Sequence, residues 1–435
     1  MTPGAIGVIG FATILVLIGL RVPIAIVLII VPVVGISAIR GIDVGLGQLK
    51  TVPFEFIANW NLTTIPMFLL MGALFYHSGM STSLFDAARA WLGRLPGGLA
   101  IAANMACTAF AAACGSSMAT AAAMGRLAIP EMLKAKYDHG LAAGVVASAG
   151  TIGSMIPPSI LFVLYGIFAE QSISQLLIAG ILPGLLTAFV YSAMILIRCR
   201  FDPKIAPMGV ETPGWGVRLR LLMSTWPLLA LILGIIGGLY SGFFTPTEAG
   251  AVGAAFVLLM GVFVGRLTFR AVWAATIETL VSTASLLFIA VGAILVARFL
   301  TLTGIPDLVG RAVSDISTSP IVLVVAVSVV YVILGMFLEG IGIMVITLPL
   351  FLPLMKQYGF DLIWFGVLVV KFLEVGLLTP PVGLNVYVIK TVVGDQMSLE
   401  TIFRGCFWFL GCEVVVVGLL VAFPAISLYL PSLMH

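Results

Sequence analysis

The feature that most limits what this chain can become is its hydropathy. Apolar runs of about twenty residues recur from one end to the other, and that is the length an α-helix needs to cross a bilayer core of about 30 Å. In lipid a span must satisfy its own backbone N–H and C=O groups, which leaves helices or a closed barrel. Barrel strands alternate apolar and polar residues over about ten positions, and no stretch of this sequence does so. Of the 435 residues, 61% are hydrophobic and 9% charged, against about 25% charged in a soluble domain. Mean hydropathy is +1.22. The chain reads as an all-α polytopic membrane protein.

No Lys or Arg precedes the first apolar run, Met1 to Gly10. The basic n-region of a cleaved signal peptide is missing, and the first helix is expected to stay in the mature protein. The formal net charge of +3 is scattered over short loops, so nucleic acid is not an expected partner. Cys107, Cys114, Cys199, Cys406 and Cys412 show no CxxC spacing, and neither a disulfide nor a metal centre is expected from them.

Spans are expected near 4–20, 22–39 and 64–79, followed by an amphipathic stretch from Ser81 to Leu95. A Gly/Ala-rich pair, 97–113 and 117–133, comes next, then a broken span at 140–168 and a full one at 175–197. The longest polar connection, Arg198 to Arg220, divides the chain near its middle. Beyond it the order recurs: spans near 221–240, 246–265 and 281–302, a polar helix from Pro306 to Thr318, a pair at 320–338 and 342–356, a broken span at 362–391, and a last span at 406–430. One offset of 223 residues carries Gly153, Pro157, Pro158, Leu161 and Val163 onto Gly376, Pro380, Pro381, Leu384 and Val386. The same offset carries Pro130 onto Pro353, and Gly19 and Pro23 onto Gly242 and Pro246. Coincidence among 23 prolines supplies one or two matches, but not three separated proline sites in one register. The expected organisation is therefore two repeats, 1–200 and 221–435, joined by a loop at 201–220.

Lys and Arg favour the cytoplasmic side in short loops. The central connection carries Arg198, Arg200, Lys204, Arg218 and Arg220 against Asp202 and Glu211, so it is expected inside. Arg89 and Arg94, and Lys134 and Lys136, can then share that side only if 97–133 enters and leaves as a re-entrant hairpin. Each half keeps five crossings. An odd number inverts the second repeat relative to the first, places both termini outside, and makes 320–356 a hairpin dipping from the opposite face.

Two adjacent prolines break a helix at each of Pro157-Pro158 and Pro380-Pro381. Broken backbone is tolerated at membrane depth where it lines a cavity, and inverted repeats with broken helices are a recurring design of secondary transporters. Carbonyls released at Gly153 to Ile156 and Gly376 to Thr379, with the Thr379 hydroxyl, are hard ligands suited to Na⁺. Two packed proline kinks are the simpler alternative for either site alone, and pairing at one offset favours the site. In the first hairpin's tip, Ser116, Ser117 and Thr120 either satisfy the local backbone or face a ligand. Glu339, at the corresponding second tip, is expected to face a cavity or a partner, since facing lipid is costly.

Together the Gly-Ser-rich hairpin (Cys114 to Gly125), Gly153 to Pro158, "FFTPTEAGA" at Phe243 to Ala251 and "GLLTPPVGLNVYV" at Gly376 to Val388 resemble the large membrane subunit of TRAP transporters over essentially the whole chain. The resemblance implies an elevator-type, Na⁺-driven importer in the bacterial inner membrane. Its implied partners are a small four-helix membrane subunit and a periplasmic substrate-binding protein, and its implied cargo is an organic acid such as a C4-dicarboxylate or a sialic acid. It also implies two Na⁺ sites. One lies between Cys114 and Ser116 and the first break at Gly153, Ile156 and Pro158. The other lies between Gly335 and the second break at Gly376, Thr379 and Val382. Cys114 stands where Ser often precedes the Gly-Ser, a change that matters only if the ligand is a side chain. The fused form of the family is not expected, because no four extra helices precede the first repeat.

Lys371 and Glu374 share a helix face and are expected to pair. Arg126 either attracts an anionic cargo or binds backbone carbonyls. Arg298 and Glu278 are expected near interfaces, Glu248 at a helix N-terminus, and His77, His139 and His435 in isolated surface positions. Enzyme motifs such as H-E-x-x-H, G-x-x-x-x-G-K-[ST] and G-x-S-x-G do not occur. An intramembrane hydrolase using Ser116 or Ser117 lacks a nearby base, and a scaffold with vestigial repeats is a weaker third reading. The nearest alternative is a stand-alone Na⁺/dicarboxylate elevator carrier that works without a binding protein.

Overall fold

The computed structural model describes residues 2–20, 22–207, 213–263, 267–306, 308 and 320–434. Among these the secondary structure is helical, with no strand. The first half opens with α1 (Pro3–Gly19), α2 (Ile24–Arg40), α3 (Ile42–Ile57), α4 (Thr64–His77) and α5 (Ser81–Leu92). Hairpin arms α6 (Gly98–Cys114) and α7 (Ser117–Lys134) follow, then α8 (His139–Gly150), α9 (Ile160–Ala169), α10 (Ile173–Ala179) and α11 (Ile181–Phe201). The second half opens with α12 (Trp215–Met223), α13 (Trp226–Tyr240), α14 (Pro246–Phe263) and α15 (Phe269–Thr303). Its hairpin arms are α16 (Pro320–Gly335) and α17 (Gly340–Gln357), followed by α18 (Leu362–Gly376), α19 (Leu384–Val393), α20 (Leu399–Ala422) and α21 (Ala425–Ser432).

A shift of 223 residues lays α7 on α17 end to end. The caps repeat with the helices. Asp138 accepts from Leu141 N at 2.9 Å to open α8, and Asp361, at the same offset, accepts from Ile363 N and Trp364 N at 2.8 and 3.0 Å to open α18. Each cap satisfies N–H groups that a helix start leaves unpaired. Both helices then stop where the prolines forbid continuation. α8 runs into a 3-10 turn, Thr151–Ser154, ahead of Pro157-Pro158, and α18 ends at Gly376 ahead of Pro380-Pro381. Both Pro-Pro bonds are cis. Ser159 restarts the first helix by accepting from Phe162 N at 3.3 Å.

Among the described residues one difference between the halves falls at α3 and α4. α3 and the segment from Trp60 through α4 meet at 63°, whereas the same register in the second half is one unbroken helix of 35 residues, α15. The cause is local. Asn59 accepts from Asn61 N at 3.0 Å and starts a new turn, while the register-equivalent Ser282 lies in the middle of α15 and starts none. The sequence pattern did not announce α3, because Asp43, Lys50, Pro53 and Glu55 dilute its apolar signal. It also set the start of α15 too late and left 215–220 in the connection, where the structure has α12 (Trp215–Met223) bent by 47° against α13. The polar helix expected at 306–318 lies largely outside the described residues, as do 208–212 of the connection.

Packing is reciprocal: α2 lies along α15 of the other half, and α14 lies along α4. The second contact includes a Thr64 to Thr247 hydroxyl bond of 2.8 Å. Among the described residues five helices are long and apolar enough to cross a membrane singly, or up to seven if each bent pair is one span. α20 seats on α8 at glycines: a Cβ on Gly144 would stand 2.5 Å from the Gly405 carbonyl carbon. Small residues let helix backbones approach this closely.

Candidate functional site

Each hairpin tip meets the break of its own half. At the first, Gly115 ends α6 with φ +66°, in the left-handed region that disfavours side chains. A Cβ there would overlap the Pro158 carbonyl. Ser116 is the N-cap of α7, its Oγ accepting from Ala119 N at 3.4 Å. A Cβ on Gly153 would lie 3.1 Å from the Ser116 carbonyl and 3.2 Å from Thr120 Oγ1. Ser116, Thr120, Gly153 and Pro158 thus converge. Thr120 is fully buried, and its hydroxyl has no hydrogen-bond partner among the described residues. A buried hydroxyl is ordinarily satisfied, so this orphan oxygen, beside the Ser116 carbonyl that accepts from Thr120 N at 3.0 Å, suits a hard cation. The Ile156 side chain packs against Gly184 of α11. The Cys114 carbonyl lies beside Gly72 of α4.

At the second tip the backbones touch directly: a Cβ on Gly335 would stand 2.8 Å from Gly376 Cα. Thr379 Oγ1 donates to Val375 O at 2.7 Å, which leaves its lone pairs open. Val382 lies in the turn before Gly383, whose φ is +60°. Among the described residues no cluster of three His, Cys, Asp or Glu side chains is placed to hold a metal. The donors gathered at the two breaks are carbonyl and hydroxyl oxygens, which fit Na⁺ better than a transition metal.

Between the two tips lies a cavity of about 70 Å³, lined among others by Ser116, Ser117, Ser154, Glu339, Gly340 and Glu374. The starts of α7 and α17 both border it, and helix N-termini carry partial positive charge. Ser117 Oγ lies 2.7 Å from both Glu374 carboxylate oxygens and 2.7 Å from Ser154 Oγ. Glu339 is half-buried at the rim. Arg126 is not among the residues lining the cavity: it is exposed and donates from Nη1 to Tyr76 OH on α4 at 3.2 Å.

Lys371 and Glu374 do not pair, contrary to the expectation from their spacing. Lys371 Nζ reaches Glu413 of α20 at 2.7 Å and Thr187 of α11 at 2.9 Å, and Tyr191 also donates to Glu413. In a dry interior each charge goes to the counter-group its surroundings supply, and here that group lies across a helix interface. Glu374, Ser154 and Glu413 are thus residues that sequence reasoning undervalued. The signal for Glu374 was a carboxylate in an apolar run two residues ahead of the Gly376 turn. Glu248 sits as expected: its carboxylate accepts from Thr245 N at 2.8 Å at the start of α14, a capping box. His77 bonds Glu278 at 3.1 Å, and Arg298 donates to Gln48 at 2.8 Å.

Repeated halves, each with a helical hairpin set against a broken helix, define a multi-pass membrane protein of the transporter class. Residues 11–426 match the family model of the tripartite ATP-independent periplasmic transporter, DctM component, and the chain belongs to that family as a large permease protein. It is 39% identical to the C4-dicarboxylate TRAP transporter large permease protein DctM of Pseudomonas aeruginosa, over 87% of this chain and 88% of that one. It is 32% identical to the sialic acid TRAP transporter large permease protein SiaM of Vibrio cholerae, over 87% of each. Its fold is similar to that of the YdaH transporter of Alcanivorax borkumensis, with a TM-score of 0.62 at 16% identity, covering 88% of this chain and 90% of that one.

Proposed function

We propose that this chain is the large membrane subunit of a Na⁺-coupled importer of an organic acid, a C4-dicarboxylate or a sialic acid. It works in the bacterial inner membrane with a small four-helix subunit and a periplasmic substrate-binding protein. The hairpins and broken helices travel together as an elevator against a frame that includes α2, α4, α14 and α15. The observation that carries this reading is the meeting of each hairpin tip with the break of its own half. Two oxygen-lined niches, at Ser116, Thr120, Gly153 and Pro158 and at Gly335, Gly376 and Thr379, flank one cavity. Ser116, Ser117 and Glu339 face that cavity. Na⁺ held at the two breaks supplies positive charge beside an anionic cargo, and the α7 and α17 N-termini add to it. Arg126 acts from outside the cavity, where it ties the first hairpin to α4.

Two measurements test the reading. In proteoliposomes holding the complete transporter, labelled succinate or N-acetylneuraminate accumulates only with an inward Na⁺ gradient. Ser116→Leu and Thr379→Trp abolish accumulation while membrane insertion persists. The purified chain melts at higher temperature in NaCl than in choline chloride of equal strength, since a ligand at about 100 times its Kd adds roughly 2.7 kcal/mol of stability per site, and Gly153→Val flattens the response. Accumulation that proceeds unchanged without Na⁺ overturns the reading.

A further inference from the structure

On the outer flank of α11 and α20 lies a cleft of about 680 Å³, a size within the roughly 300–1,000 Å³ of small-molecule sites. Its walls are apolar: Phe189, Met194, Ile197 and Phe201 of α11 stand against Trp408 of α20. Two charged side chains line it, Arg198 and Asp202, four residues apart at the end of α11. The charged connection begins here, so this end of the cleft lies at a membrane–water boundary, the cytoplasmic one by the Lys/Arg rule.

Arg198 is placed for a ligand rather than for water. Its guanidinium carbon stands 4.6 Å from the centroid of the Trp408 ring, a cation–π contact that steadies the group. Nη1 is closed off from solvent and has no hydrogen-bond partner among the described residues. A buried donor on a charged group is costly to leave unpaired. Long Arg side chains near helix ends carry their charge out to water, but a closed-off nitrogen is not reached that way. The acid one turn on does not compensate it: Asp202 accepts from Lys204 N at 3.2 Å, and among the described residues no ion pair joins it to Arg198. Arg200 and Lys204 are exposed and do not line the cleft.

Apolar walls with one unmatched cation and one carboxylate at the mouth define the ligand. Acyl chains suit the walls. A phosphate suits the guanidinium, whose planar fork matches its oxygens, and an ammonium suits Asp202. Phosphatidylethanolamine carries all three. Phosphatidylcholine has no N–H to give the carboxylate, and phosphatidylglycerol brings it no cation.

We propose that this cleft binds one phosphatidylethanolamine, with its phosphate on Arg198, its ammonium on Asp202 and an acyl chain along Phe189, Met194 and Ile197. The lipid bridges α11 and α20. Through α11 it bears on the first hairpin, since Asn104 of α6 donates to the Ala188 carbonyl at 2.8 Å and to Ser192 at 2.9 Å. The site is separate from the two niches and the cavity between them, and it does not depend on which acid is carried or on Na⁺.

Native mass spectrometry of the purified full chain, equilibrated with equal amounts of the three lipids, is expected to show one phosphatidylethanolamine retained above the others. Arg198→Met lowers that retention about fivefold or more, the loss expected for one cation at a headgroup, while Arg200→Met leaves it unchanged. Asp202→Asn brings phosphatidylethanolamine level with phosphatidylcholine. Retention that Arg198→Met leaves intact, or that shows no preference among the lipids, overturns the proposal. So does displacement by soluble glycerophosphoethanolamine at equal concentration, because the apolar walls then contribute nothing. The second arm keeps Arg198 and uses the complete transporter in native membranes. A photoreactive benzophenone side chain in place of Ala193, inside the cleft, is expected to form an adduct with phosphatidylethanolamine. An adduct with a membrane protein or with a second copy of this chain overturns the proposal, as does the lack of any lipid adduct. If Arg198→Met fails to fold, this arm decides.

Discussion

Lys371 and Glu413 stand 42 residues apart in sequence, on two helices, and bury their charges within 2.7 Å of each other, each side chain 1% exposed. Breaking one member of such a pair strands the other. Lys371→Met is expected to destabilise the chain by about 3–5 kcal/mol, whereas Lys371→Met with Glu413→Leu recovers most of that loss, because well-packed apolar side chains replace buried pairs at little cost. Chemical unfolding of the detergent-solubilised protein measures both. The sequence exposed these residues only as charges in apolar runs. Spacing within one helix pointed Lys371 at Glu374, and nothing local indicates that α20 delivers a carboxylate to the same depth. The tip serines show the same limit: "GSS" marked a polar turn, but the bond from Ser117 to Glu374 spans 257 residues and exists only once the halves are packed.

At the scale of elements, the breaks were legible because proline acts on its own helix, and so were the hairpin arms, whose caps and glycines are local. α3 was not, since its polar residues mask a helix that forms through packing on α2 and α15. The close seating of α20 on α8 was equally hidden. Gly405, against Gly140 and Gly144, reads in the sequence like Gly411, which has open space around it. Gly405→Leu is therefore expected to lose on the order of 2 kcal/mol or more through overpacking, and Gly411→Leu to stay within about 0.5 kcal/mol, as exposed substitutions do. Thermal melts of the two variants side by side distinguish them.

For the whole molecule, the reciprocal packing of α2 on α15 and α14 on α4 ties each half to the other at two equivalent places, as a two-fold relation requires. A disulfide between Thr64→Cys and Thr247→Cys, whose hydroxyls lie 2.8 Å apart, joins two helices of the frame and is expected to leave uptake intact. A thiol-reactive linker between Arg126→Cys and Tyr76→Cys joins hairpin to frame and is expected to stop uptake, with reduction or linker cleavage restoring it. The five native cysteines are buried, which keeps the labelling selective. Uptake through both crosslinks argues against travel of the hairpin past α4.

The bent pair α3–α4 and the straight α15 occupy one register. A rod on one side and an elbow on the other mean that the two halves cannot exchange places without a change of shape, and that inequality traces to where one asparagine starts a new turn.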